Sequence, residues 1–151
     1  MIKPRIYIDT SVIGGCFDSE FKEWSDKLFE EFKTGIKKAI ISDITLDELS
    51  FARDEVKKQI NFIPEHFKEH ILNNQETEEL ASQYIKEKVV TKKFYEDALH
   101  IAIATVYKVD VLVSWNFRHI VNLDKIRMYN AVNLKNGYSL IEIRNPREIL
   151  I

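Results

Sequence analysis

The fold is indicated by one short stretch near the start of the chain, Ile6-Tyr7-Ile8-Asp9-Thr10-Ser11-Val12-Ile13. The three apolar residues are predicted to end a strand, and a short helix is predicted to begin at Thr10. The carboxylate of Asp9 stands between the two. Because α/β proteins place their chemistry where buried strands end and helices begin, the stretch predicts an α/β fold with Asp9 at its functional edge.

Length and composition fit one domain over residues 1–151, since 17.8 kDa is enough to bury a core. Apolar side chains make up 45% and charged ones 30%, which is ordinary for a soluble protein. The formal net charge of -2 argues against a protein that coats nucleic acid non-specifically, although a local basic patch is compatible with it. Cys16 is the only cysteine, so no intrachain disulfide is possible.

The sequence carries no sign of export or membrane insertion. Its start, Met1-Ile2-Lys3-Pro4-Arg5, lacks the apolar stretch of a signal peptide. No run approaches the roughly 18 apolar residues of a membrane span. We therefore expect a cytoplasmic protein that does not contact a membrane.

Short apolar runs alternate with longer amphipathic stretches, which is typical of an α/β chain. Residues 93–107 are apolar nearly all round, so a helix buried between the sheet and another layer is predicted there. Residues 71–72 fit either a short strand or a helix. The predicted strands are 5–8, 38–42, 110–114 and 139–143; the predicted helices are 21–33, 45–51, 54–62, 93–107 and 123–134, with others from 10 and 77 and a last turn at 145–146.

Polar residues follow the predicted strands at the end where parallel sheets place functional groups. Asp9 and Asp43 each come directly after a strand, and Asn116 follows the strand at 110–114. Asp110 stands at the start of that strand, which is the opposite end, and is therefore excluded. Glu48 and Asp97 are predicted to lie in the first turns of helices that begin beside this edge. Convergence of three carboxylates predicts a divalent-metal site and phosphodiester hydrolysis.

Each acid also has a purely structural interpretation. Glu48 completes a capping-box spacing with Thr45, Asp97 favours the positive end of its helix, and Asp9 is a possible N-cap. The three structural interpretations explain the acids less well jointly than singly, because carboxylates that lie close to one another repel unless a cation lies between them.

Basic residues near the acids leave two interpretations open. His100 shares a helix face with Asp97 and is either a donor to a carboxylate or substrate, or a core histidine bonded to backbone. His119 either binds phosphate or braces its loop. Arg118, like Lys92-Lys93, either contacts a phosphate backbone or is simply solvated.

Taken together, four motifs resemble those of the PIN domain, a family of metal-dependent nucleases. The resemblance runs over nearly the whole chain, and the motifs occur in the family's order and spacing. They are Ile8-Asp9-Thr10-Ser11-Val12, then Ile41-Ser42 through Leu46-Asp47-Glu48-Leu49, then Glu96-Asp97-Ala98-Leu99-His100-Ile101-Ala102-Ile103-Ala104, and Leu112-Val113-Ser114-Trp115-Asn116.

The resemblance implies a three-layer α/β/α sandwich with a mostly parallel sheet of about five strands. It also implies a Mg²⁺ or Mn²⁺ site in a negative pocket and single-stranded RNA as substrate. Many small members are VapC-like toxins of toxin–antitoxin pairs, often homodimers held inactive by a small antitoxin protein, so these partners are expectations as well.

The fourth motif departs from the family, which usually has an aspartate two residues after its Thr or Ser. Counted from Ser114, that position is Asn116. An amide oxygen ligates a hard cation without supplying charge, so a two-metal site is weakened more than a one-metal site. Asp43 or Asp124 could compensate for the missing charge.

The leading hypothesis is a metal-dependent endoribonuclease. Asp9 and Asp97 would be metal ligands, Glu48 would orient the attacking water, and Asn116 would contact the water, metal or substrate. Residues expected to support this site or the substrate are Thr10, Ser11, Ser114, His100, His119 and Arg118.

The second hypothesis is a PIN-like module that binds RNA or a protein partner without cutting. A third, an aspartate-nucleophile phosphatase, is disfavoured because those enzymes usually have a second aspartate where Ser11 stands.

Overall fold

The computed structural model describes residues 3–151 and contains one parallel five-stranded sheet in the order β3-β2-β1-β4-β5. Met1 and Ile2, part of the start interpreted above, lie outside the described residues. The strands are β1 (Arg5–Ile8), β2 (Lys38–Ser42), β3 (Lys68–Ile71), β4 (Val111–Val113) and β5 (Ile143–Arg144). The helices are α1 (Thr10–Gly15), α2 (Lys22–Lys33), α3 (Asp43–Leu49), α4 (Asp54–Lys58), α5 (Gln75–Lys86), α6 (Tyr95–Val106) and α7 (Leu123–Lys135).

Successive strand residues point to opposite faces of the sheet, and each face is covered by helices. Tyr7 and Leu112 pack on the face covered by α5, α6 and α7. Ile6 and Ile8 pack on the other face, against α1, α2, α3 and α4. The predicted three-layer α/β/α sandwich is confirmed. Helix α6 is buried from Ala98 to Thr105, as its apolar sequence predicts.

Two predicted boundaries and one predicted capping box are wrong for local reasons. Helix α3 begins at Asp43 because Ser42 Oγ caps it, accepting from Thr45 N at 3.2 Å. The predicted Thr45–Glu48 capping box does not form, and Glu48 lies in the last turn. Strand β5 begins at Ile143 rather than at residue 139, because the Asn130 side chain bonds both the N–H and the carbonyl of Ile141.

Other differences are smaller. Strand β4 omits residues 110 and 114; the Asp110 side chain instead accepts from Arg5 N at 2.7 Å. The helix predicted at 54–62 ends as α4 at Lys58 and continues as the 3₁₀ turn Gln59–Phe62. Residue 71 belongs to β3, while the last turn forms at Pro146–Ile149 with Asn145 as its cap. None of the helices within residues 3–151 combines the length and apolar character needed to cross a membrane.

The two glycines of α1 differ in how closely they are packed. A Cβ on Gly15 would lie 2.4 Å from Ser25 Oγ and 2.7 Å from Trp115 Nε1, whereas a Cβ on Gly14 would meet nothing within 4 Å. Ser25 Oγ donates to Val12 O and accepts from Trp115 Nε1, each at 2.9 Å. Gly15 therefore allows α1 to approach this hydrogen-bonded contact.

We expect Gly15→Ala to lower the free energy of unfolding by about 1–3 kcal/mol, because the buried contact must shift to admit the methyl group. The control Gly14→Ala should raise it by up to about 1 kcal/mol, through a less flexible unfolded chain and better helix propensity. Denaturant unfolding of both variants measures the difference. Equal effects would contradict the packing argument.

Candidate active site

Asp9 is buried at the end of β1, with 5% of its surface exposed. Its Oδ1 accepts from Ser11 Oγ at 2.6 Å and from Val12 N at 3.2 Å, while Oδ2 accepts from Ser114 Oγ at 2.5 Å. Burial raises the pKa of Asp9 above its ordinary value, against the lowering effects of His100 and these donors. Asp9 is thus the N-cap of α1. It is also a position where burial makes the negatively charged form of the side chain less favourable.

Two serine hydroxyls hold this carboxylate between neighbouring strand ends. Ser114, which follows β4, accepts from Asn116 N at 2.9 Å. Ser11 accepts from Trp115 N at 2.9 Å. Each hydroxyl therefore donates to Asp9 and accepts from the 114–116 segment. By contrast, Thr10 Oγ1 is buried with no hydrogen-bond partner among the described residues.

Glu48 reaches the site through His100. His100 Nε2 lies 2.5 Å from Glu48 Oε1, its Nδ1 lies 2.6 Å from Tyr7 Oη, and that hydroxyl lies 2.7 Å from Ser42 Oγ. Of the two interpretations of His100, the structure agrees with the carboxylate contact, since both ring nitrogens face side chains. Tyr7 and Ser42 were missed by sequence reasoning, because each looks like an ordinary strand residue.

The surroundings of His100 favour its protonated, positively charged form. Burial alone would lower the pKa of His100, but Tyr7, Glu48 and the charge of Asp9 together raise it well above its ordinary value. With both ring nitrogens protonated, the ring donates to Glu48 and to Tyr7. This cation partly offsets the surrounding carboxylates.

Asp97 lies in the first turn of α6, as predicted, and is half-buried. Burial raises the pKa of Asp97, and the charges of Asp9 and Glu48 raise it further, while His100 and His119 lower it. The three acids are therefore within electrostatic reach of one another.

Asn116 turns its amide oxygen toward its own loop. Oδ1 accepts from the backbone N–H groups of Arg118 at 3.1 Å and His119 at 3.0 Å. This oxygen stabilises the turn after β4, and it faces backbone rather than the carboxylates.

Neither of the two acids considered as compensation joins this cluster by a hydrogen bond. Asp43 Oδ1 accepts from Ile44 N and from Asn73 N, and so holds the connection that follows β3. Asp124 is exposed in the first turn of α7.

Within residues 3–151 no group of three or more His, Cys, Asp or Glu side chains is arranged to hold a metal ion. Asp9 oxygens face hydroxyl groups, and Glu48 faces His100. Burial nevertheless raises the pKa of both Asp9 and Asp97, and the nearby charges of Asp9 and Glu48 add to the rise at Asp97. Because Mg²⁺ often binds through one or two carboxylates plus water and substrate phosphate, these two acids fit such a cation in charge and ligand type.

Comparison with solved structures supports the architecture. One chain of the crystal structure of VapBC2 from Rickettsia felis bound to a DNA fragment from their promoter superposes with a TM-score of 0.58. The match covers 93% of this chain and 98% of that chain, at 14% sequence identity. The fold is PIN-like.

At this identity the likeness concerns the PIN-like fold alone. No protein-family model matches the sequence, and none of the curated proteins matches it significantly. The roles of individual residues therefore rest on the geometry described above.

The raised pKa values predict that stability falls as pH rises when no divalent cation is present. The folded protein retains protons at Asp9 and Asp97 above about pH 4, where the unfolded chain loses them, so ionisation is destabilising. His100 acts in the same direction: its stabilising charge is complete below its unfolded pKa and is lost as pH rises through the raised folded value.

We expect Asp97→Asn to unfold about 2–4 °C above wild type in EDTA near pH 8, with a smaller difference near pH 5, because the asparagine has no proton to lose and gains no negative charge as pH rises. Asp47→Asn is the control, since Asp47 is exposed on α3. Thermal unfolding across this pH range measures both. A steeper pH dependence in Asp97→Asn than in wild type would contradict the assignment.

Proposed function

We propose that this protein is a metal-dependent endoribonuclease that hydrolyses single-stranded RNA. The observation that carries the proposal is the electrostatic cluster of Asp9, Asp97 and Glu48 at the carboxyl edge of a PIN-like sheet. Asp9 is buried, and the charges of Asp9 and Glu48 add to the burial that raises the pKa of half-buried Asp97. Carboxyl groups with such perturbed pKa values are typical of functional sites.

In this proposal Asp9 and Asp97 hold Mg²⁺ or Mn²⁺. A cation held by these two residues would supply polarisation of the phosphoryl oxygen and a more acidic bound water near neutral pH. Ser11 and Ser114 keep the Asp9 carboxylate in place by donating to both of its oxygens.

The remaining residues act on water and phosphate. His100 contacts Glu48 Oε1, so Glu48 Oε2, which has no hydrogen-bond partner among the described residues, can accept a hydrogen bond from the attacking water. The buried Thr10 hydroxyl has no protein partner among the described residues and can donate to a phosphate oxygen. In-line attack then leaves a 5′-phosphate.

A toxin role with an antitoxin partner is part of the proposal. It is supported by the likeness of the chain to part of VapBC2, which was crystallised with a promoter DNA fragment. A homodimer acting in the cytoplasm belongs to the same expectation.

The alternative is a PIN-like module that binds RNA or a protein partner without cutting. Asn116 favours it, because this residue brings no charge and its oxygen already caps the 116–119 turn. The absence of a three-residue metal cluster within residues 3–151 favours it too.

We expect wild type to cleave single-stranded RNA with Mn²⁺ or Mg²⁺ and not with EDTA. Asp9→Asn and Asp97→Asn should each lose more than about a hundredfold in rate, since a lost ligand should exceed the roughly 10–100-fold effect of a lost supporting contact. Asp47→Asn, an exposed acid beside Glu48, should retain wild-type rate. Gel analysis of labelled RNA measures the products; cleavage that survives in both site variants would overturn the proposal.

We expect Asn116→Asp to bind Mn²⁺ several-fold more tightly than wild type, because one carboxylate oxygen can keep the turn while the other adds charge to the site. Isothermal titration calorimetry measures the affinity. An unchanged affinity, with normal folding, would show that residue 116 lies outside the reach of the cation.

A further inference from the structure

A second feature lies beside the acidic cluster: an open cavity of about 630 Å³. This volume falls within the range of about 300–1,000 Å³ typical of small-molecule sites. Its walls come from the end of α5, the segment before α6 and the turn after β4. The lining side chains used below are Lys88, Lys92, Phe94, Arg118, His119 and Lys125.

The cavity is basic, in contrast to the chain as a whole. Four of its lining residues are lysine or arginine, and none is acidic. Within residues 3–151 these four form no ion pair with a carboxylate; Lys125 Nζ instead donates to Val89 O at 2.5 Å. The cavity is therefore locally positive, although the chain as a whole has a formal net charge of -2.

The cavity also presents flat rings. Phe94 and His119 lie 3.8 Å apart between ring centroids at 32°, and the Arg118 guanidinium lies 5.9 Å from the Phe94 centroid. Neither ring nitrogen of His119 has a hydrogen-bond partner in the described part of the chain. Both nitrogens are buried, and burial lowers the pKa of His119 against the raising effect of Asp97.

Short connections join this cavity to the acids. Phe94 lies three residues before Asp97 on the same continuous turn and helix. From the other side, His119 N donates to Asn116 Oδ1, and Asn116 N donates to the Ser114 hydroxyl that bonds Asp9. The basic cavity is therefore connected to the acids by a few residues on each side.

We propose that this cavity binds the nucleotide next to the cleaved phosphate, with its base against Phe94 and His119 and its phosphate against Lys92 and Arg118. The proposal rests on the nuclease function proposed above, whose substrate strand it positions. Base stacking on aromatic rings requires an unpaired base, so the cavity selects single-stranded over duplex RNA. An acidic peptide would contact the lysine and arginine side chains, but it would leave the Phe94 and His119 rings without a stacked partner.

The test is binding of a short fluorescein-labelled single-stranded RNA, measured by anisotropy in EDTA in the Asp97→Asn background, where the RNA stays intact. Arg118→Gln should weaken binding about five- to tenfold and lower the slope of log affinity against log salt by about 0.7, the value for one lost contact to single-stranded phosphate. Arg127→Gln is the matched control, since Arg127 is exposed on α7 and does not line the cavity.

Phe94→Leu separates stacking from charge: it should weaken RNA binding about fivefold or more and leave the salt slope unchanged, with thermal unfolding confirming that the variant folds. Equal effects of Arg118→Gln and Arg127→Gln would overturn the proposal, as would equal binding of duplex RNA or of an oligoglutamate peptide. RNA binding that depends on Arg118 in a protein with no cleavage activity would instead refute only the nuclease function.

Discussion

The hydrogen bond from Ser114 Oγ to Asp9 Oδ2 joins the ends of the two neighbouring strands β1 and β4. Since these strands are parallel, their carboxyl ends meet at one edge of the sheet, and a buried carboxylate there needs donors from both sides. Ser11 supplies the second donor from the first turn of α1.

The His100 side chain connects further elements to this edge of the sheet. His100, with 2% of its surface exposed, links Glu48 of α3 to Tyr7 of β1, and Tyr7 links on to Ser42 at the end of β2. One chain of contacts thus connects helices from both layers with two strands. Loss of any one partner would leave a buried polar group unpaired, which is strongly destabilising.

Much of the fold was predictable because its signals are local. The bounds of β1 and β2 and the apolar face of α6 follow from runs of adjacent residues. The start of α3 was not, because Ser42 and Thr45 are both good N-caps and the capping-box spacing to Glu48 favours Thr45, whereas Ser42 caps the helix in the structure. The late start of β5 depends on Asn130, because its side chain forms hydrogen bonds with both the N–H and the carbonyl of Ile141.

The sequence by itself determined the α/β class, the order of the acidic motifs and the position of Asp9 after a buried strand, because periodicity and strand–helix junctions act over a few residues. Only the tertiary structure decided the partners, since Ser114 is 105 residues from Asp9 and Glu48 is 52 from His100. The tertiary structure also directs Asn116 Oδ1 toward the backbone of its own loop. It brings Lys88, Lys92, Arg118 and Lys125, which are far apart in the sequence, to the lining of one cavity. Side-chain partners across a sheet depend on register and helix packing, which no local pattern records.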